Sequence, residues 1–95
     1  MYQFYGQHDE DKYIFNTFFK DKKDGFFVEL GAIDGVTFSN TLFFEKNMGW
    51  KGILIEPWRA EYDKLVRNRP HSKCYNCAIT REEGTATMLN LGHSA

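Results

Sequence analysis

Phe26-Phe27-Val28-Glu29-Leu30-Gly31-Ala32-Ile33-Asp34-Gly35 is the stretch that decides the fold. An unbroken apolar run ends on an acidic residue, and two glycines then bracket a tight turn ahead of a helix signal. Strands covered on both faces of a parallel sheet read as continuous apolar runs, so Phe26 to Leu30 need not alternate. The lone carboxylate of Glu29 near the strand's exit needs a partner or a ligand. Gly31 and Gly35 permit positive φ and let the main chain pass close to another molecule, where a side chain would fill the space. This is the pattern of a strand that brings a nucleotide-sized ligand to its carboxyl end.

Downstream of the turn, Ser39 and Thr41 offer helix N-caps, and Leu42, Phe43 and Phe44 begin an apolar face running to Asn47 or Met48. Gly49 is placed to end that helix in the left-handed conformation. A second apolar run, Ile53-Leu54-Ile55-Glu56, again finishes on a carboxylate, and Pro57 stops it. Arg59 to Arg69 reads as a helix with Tyr62, Leu65 and Val66 facing inward, closed by Pro70. Its basic end, Lys64 and Arg67-Asn68-Arg69, reads as cations that complement the helix dipole. A third strand is expected at about Lys73 to Ile79, a charged turn at Arg81 to Gly84, and a looser fourth strand at Thr85 to Leu91.

Upstream, Met1 to Gln7 carry aromatics without a period and read as an extended lead-in. From about Asp9 to Lys22, Ile14, Phe15, Phe18 and Phe19 form one helical stripe. The organisation is a lead-in and helix over 1–24, a βαβαβ unit over 25–80, and a turn with an extra strand over 81–95. Strand, helix, strand, helix, strand at this spacing is half of a doubly wound, mainly parallel α/β sheet. In such a sheet the first strand is central, with the fourth on its other side. The chain stops before a convincing second half, so one flank of a hydrophobic strand is expected to lie uncovered. The expectation is the amino-terminal portion of a longer protein, with self-association through the uncovered sheet edge.

Composition narrows the function classes. Of 95 residues, 42% are hydrophobic and 17% aromatic, which fits one soluble domain with a Phe-rich core. No apolar run approaches the roughly twenty residues of a membrane span, and the polar start is not signal-like, so a cytoplasmic protein without a membrane span is expected. A net charge of −1 with both signs interspersed leaves no footprint for a nucleic acid partner. Cys74 and Cys77 form a C-x-x-C string, but positions three apart on a strand point to opposite faces, and His71 brings the set to one ligand fewer than a closed zinc site needs. No metal is expected, and both cysteines read as buried hydrophobes.

The chemistry sits in the turns. Adjacent parallel strands lie about 4.8 Å apart, so acids ending strands one and two, Glu29 and Glu56, can reach one ligand. A carboxylate at Glu56 can accept two hydrogen bonds from a ribose diol. A dinucleotide turn needs a third glycine, so that pyrophosphate rests on a helix N-terminus. Gly31 to Gly35 lacks that glycine and adds Asp34, whose charge repels phosphate. Asp-Gly is also a common turn pair, so Asp34 has a purely local role open to it. A cationic or zwitterionic nucleoside without phosphate suits the turn better, and S-adenosylmethionine is such a molecule.

Phe27 to Gly35, then Ser39-Asn40-Thr41, Glu45, Gly49-Trp50, Gly52, Ile55-Glu56-Pro57 and Asn68-Arg69-Pro70, together resemble the FkbM family of S-adenosylmethionine-dependent methyltransferases. Gln3, Gly6-Gln7 and Asp11 resemble that family's opening. The likeness spans roughly residues 3 to 80. It implies a Rossmann-like class I methyltransferase fold, a three-layer α/β/α sandwich with only its first half present, and methyl transfer to a hydroxyl of a sugar or other small-molecule or glycan acceptor. By position it implies that Glu29, Gly31 and Gly35 hold the methionine end and Glu56 the ribose. Trp58 would pack on the adenine, with Ala78 and Ile79 lining its other side and Asn40 a polar contact at the start of the helix. Ala32, Asp34 and Pro57 complete the candidate set. The sequence names no catalytic base. Two other readings stay open: a non-catalytic interaction module that keeps the fold, and a nicotinamide-dependent dehydrogenase, which the missing glycine and Asp34 disfavour.

Overall fold

A computed structural model describes residues 2–82 and 85–94. It builds a small α/β domain on a four-stranded sheet: β1 (Phe26–Leu30), β2 (Lys51–Ile55), β3 (Lys73–Glu82) and β4 (Thr85–Ser94), in the order β1-β2-β3-β4. The first three strands run parallel and β4 runs antiparallel to β3. The looser fourth strand, expected at Thr85 to Leu91 with no partner assigned, lies beside β3. Two residues separate β3 from β4, and so short a connection can join only antiparallel neighbours. β1 therefore forms one edge of the sheet among the described residues. β3 also runs past the expected end at Ile79 into the segment expected as a turn, of which residues 83 and 84 lie outside the described residues.

Alternation and register place Phe27, Leu54 and Cys74 on one face, packed against Phe43, Phe44 and Met48 of α2 (Leu42–Met48) and Tyr62 and Leu65 of α3 (Arg59–Asn68). Phe43, Leu54 and Leu65 are wholly buried, each worth roughly 1.5–3 kcal/mol relative to exposure. The opposite face carries Phe26, Val28 and Leu30, which are 64%, 57% and 60% exposed. Of the three layers expected for the whole fold, the described residues build two.

The helix expected from Asp9 to Lys22 is shorter and changes winding. α1 (Glu10–Ile14) passes into a π-helical turn at Phe15–Phe19. Because i→i+5 winding spends more residues per turn, Phe19 stays near Phe15 on the core side while Phe18 rotates out to 66% exposure. Phe15 meets Phe43 edge to face at 4.7 Å between centroids, and Phe4 stacks on Phe43 at 4.4 Å. The lead-in is thus docked, with the Tyr5 amide donating to buried Asp11 Oδ2 at 2.7 Å. Gly49 ends α2 at φ 69°, as its position predicted. No helix among the described residues is long and apolar enough to cross a membrane.

Candidate functional site

β1 and β2 are neighbours with Leu30 opposite Ile55, so Gly31 and Glu56 leave the sheet side by side. Gly31 has φ +68°, and a Cβ built on it would meet nothing within 4 Å. Beside it a cavity of about 270 Å³ is lined by Leu30, Gly31, Ile55, Pro57, Cys77, Ala78 and Ile79. The structure thus gathers Gly31, Pro57, Ala78 and Ile79 around one hollow beyond the strand ends, where ligands of open α/β sheets bind. A hollow of about 360 Å³ lies around Pro70 and His71 where the chain enters β3, and one of about 390 Å³ lies between α2 and the end of α3, reaching Val36 beside Gly35; neither is lined by Gly31.

The turn itself is tied down by the protein. Ala32 N–H donates to the Ile55 carbonyl, Ile33 N–H to Glu56 Oε1 at 2.7 Å, and Gly35 N–H to the Ala32 carbonyl. With those amides engaged, the bend presents no phosphate cradle of the kind a dinucleotide needs. Ile33 adopts φ 57°, which is strained for a β-branched residue. The bond to Glu56 helps to hold it there.

Glu56 is buried, and its Oε2 accepts the Trp58 amide at 2.9 Å. Each of its oxygens takes one main-chain donor and keeps a second lone pair. Glu29 turns toward α2 instead: Ser39 Oγ donates to its Oε1 at 3.2 Å, and Thr41 Oγ1 donates to the same oxygen. Burial pushes the Glu29 carboxyl above its ordinary value of 4.5, and the Thr41 hydroxyl, the Arg69 charge and the Ser39 hydroxyl only partly offset it. Asp34 is occupied by its own turn, accepting from the Val36 and Thr37 amides and the Thr37 hydroxyl. Its partial burial raises the pKa, but those bonds outweigh it and hold the carboxyl below 3.8.

No family model, no curated protein and no solved structure matches the chain.

The remaining candidates fall elsewhere around the turn. Ala32 is 1% exposed with its methyl in the core, so only its main chain faces the bend. Asn40 precedes α2 rather than beginning it, and its Oδ1 lies against Gly6 of the lead-in, outside the cavity lining. Trp58 stands at the N-cap of α3 with its indole 73% exposed. Gly35 is a glycine for a reason the sequence did not reveal: its Cβ would lie 2.6 Å from Arg69 Cγ and 2.7 Å from Leu65 Cδ1.

Arg69 itself is the main residue that sequence reading missed. It was expected only as one of the cations that complement a helix dipole, and it is wholly buried against Glu45, Gly35, Ser39 and Thr41. Asn68 Nδ2 donates to the Asp34 carbonyl at 2.8 Å, so the end of α3 grips the turn twice. The available signal was a basic residue directly before the helix-ending Pro70. Cys77 lines the cavity and Cys74 faces the core. Both thiols are pushed up by burial, that of Cys74 to about 11.

Proposed function

We propose that this chain is the cofactor-binding part of an S-adenosylmethionine-dependent O-methyltransferase acting on a hydroxyl of a sugar or other small-molecule or glycan acceptor. The observation that carries this reading is the open space over Gly31 in the lining of the cavity walled by Leu30, Ile55, Pro57, Ala78 and Ile79, with Glu56 at the end of the neighbouring strand. At about 270 Å³ the hollow is smaller than the ~300–1,000 Å³ of a complete ligand pocket, so it takes a base-sized piece with the rest of the ligand lying along the turn. The donor set suits a nucleoside without phosphate: acidic acceptors, an apolar slot, and turn amides already engaged. Bound there, the cofactor supplies a methyl group on a sulfonium, activated for displacement.

The chain's own part is binding and orientation. Glu56 keeps lone pairs for a ribose diol, the Leu30 and Ile55 side excludes water from the base, and Glu29 places negative charge beneath the bend. Titrating the purified chain with S-adenosylmethionine, S-adenosylhomocysteine and NAD by calorimetry tests the reading. Heat with the first two and none with NAD is expected. A folded chain that binds neither sulfur nucleoside overturns it, and binding of NAD revives the dehydrogenase reading.

A second reading, a non-catalytic interaction module, is favoured by one observation: Phe26, Val28 and Leu30 line an exposed face on an edge strand. Sedimentation that shifts with concentration, together with no nucleoside binding, would select it over the enzyme.

A further inference from the structure

Arg69 closes α3 with its whole side chain buried, in an ion pair with Glu45 whose side chains are 0% and 6% exposed. A guanidinium has N–H donors and no acceptor, and each of the three nitrogens here donates. Nε donates to Glu45 Oε1 at 3.1 Å, Nη1 to the Gly35 carbonyl at 2.9 Å and to Ser39 Oγ at 3.2 Å, and Nη2 to Thr41 Oγ1 at 3.0 Å, with Glu45 Oε1 3.0 Å from Nη2 in the ion pair. Glu45 is held in turn by the Ser72 hydroxyl.

The direction of these bonds has a consequence. A hydroxyl that meets a guanidinium must meet it through its oxygen, which turns its own proton elsewhere. For both Ser39 and Thr41 that proton goes to Glu29 Oε1. Among the described residues Oε2 takes no hydroxyl or guanidinium donor. The same Arg69 stem packs where a side chain on Gly35 would stand.

We propose that Arg69 is a positioning residue for the ligand turn: acting through Ser39 and Thr41, it fixes Glu29 as a hydrogen-bond acceptor at the base of the bend. An acceptor there is what the ammonium of an amino-acid-bearing nucleoside requires, so the ligand's identity rests on the cofactor reading above. The alternative is that Arg69 only fastens α3 to α2. Thr41→Val cuts one of the two hydroxyl paths to Glu29 and leaves the bonds from Arg69 to Glu45, Gly35 and Ser39 in place, while Arg69→Lys removes the fork that orients both hydroxyls and so separates the two.

The test uses the whole chain labelled with ¹³C at the glutamate carboxyls, as wild type, Thr41→Val, Thr41→Ser and Arg69→Lys. It reads the Glu29 titration midpoint by NMR and the affinity for S-adenosylhomocysteine by calorimetry. The charged groups Arg69 and Glu45 are unchanged in both Thr41 variants, so a shift there reports the hydroxyl. Thr41→Val is expected to raise the midpoint by about one pH unit and to weaken the nucleoside about tenfold, and Thr41→Ser restores both. Arg69→Lys, which lacks the planar fork, is expected to behave like Thr41→Val. A midpoint unmoved in Thr41→Val overturns the proposal, and so does Arg69→Lys at the wild-type midpoint. Should Arg69→Lys not fold, a Glu29 midpoint that Thr41→Val leaves unmoved still overturns the proposal. Should the wild type bind no nucleoside, the cofactor reading fails while the midpoint still decides the role of Arg69.

Discussion

Arg69 and Gly35 are fitted to each other: Nη1 donates to the Gly35 carbonyl at 2.9 Å, and the arginine stem occupies the space that a Cβ on Gly35 would need, 2.6 Å from its Cγ. The second glycine of the turn thus belongs to the packing of α3, while the first, Gly31, opens on empty space. The two glycines of one motif have different physical reasons.

That difference is measurable. Gly35→Ala combines the cost of positive φ, about 1–2 kcal/mol, with overpacking of about 1–3 kcal/mol, and is expected to lose about 2–5 kcal/mol in urea denaturation. Gly31→Ala carries the φ cost alone, about 1–2 kcal/mol, and weakens S-adenosylhomocysteine binding. Equal losses in the two variants would contradict the assignment.

Ile33 holds φ 57° with a β-branched side chain, anchored by Glu56. Ile33→Gly relieves strain of about 1–2 kcal/mol, offset by about 0.5–1 kcal/mol of unfolded-chain entropy, so a stability equal to wild type or up to about 1.5 kcal/mol higher is expected. Glu56→Ala strips the acceptor from two amides and is expected to cost about 1–3 kcal/mol. Both are read from denaturation midpoints, and a strongly destabilised Ile33→Gly would show that the conformation is not strained.

The two carboxylates of the turn give opposite pH signatures. The native pKa of Glu29 is raised, so its stability contribution is fully present below 4.5 and is lost as pH rises through the native value. That of Asp34 is lowered, so its contribution is present above 3.8 and is lost as pH falls through the native value. Stability followed by urea denaturation between pH 3 and 8 is expected to show Glu29→Gln gaining on wild type as pH rises above 4.5. Asp34→Asn is expected to lose less than wild type on acidification below 3.8. A gap between Glu29→Gln and wild type that stays constant across the range would refute the Glu29 assignment.

The parallel strands, α2, α3 and the end at Gly49 were legible because apolar runs, stops and a C-terminal glycine are local signals. A bare sheet edge was expected as well, but the pairing of β4 with β3 was not read, since it depends on how short the connection between them is. Phe18 fell outside the core because a π-helical turn breaks the period that the stripe assumed. In the candidate site, Gly31 and Pro57 were readable from their places after the ends of β1 and β2, while Ala78 and Ile79, named through the resemblance, line the hollow from inside β3. Arg69 was not, because sequence shows its charge but not that Glu45 and two hydroxyls wait for it from another helix's start.

The account's central claim is that a nucleoside lies over Gly31 at the carboxyl ends of β1 and β2. Amide chemical-shift mapping of the labelled chain with S-adenosylhomocysteine tests it most directly. Shifts concentrated at Gly31, Ile33, Trp58, Ala78 and Ile79 are the predicted result. Shifts gathered around His71 and Ser72, or none at saturating nucleoside, would contradict it.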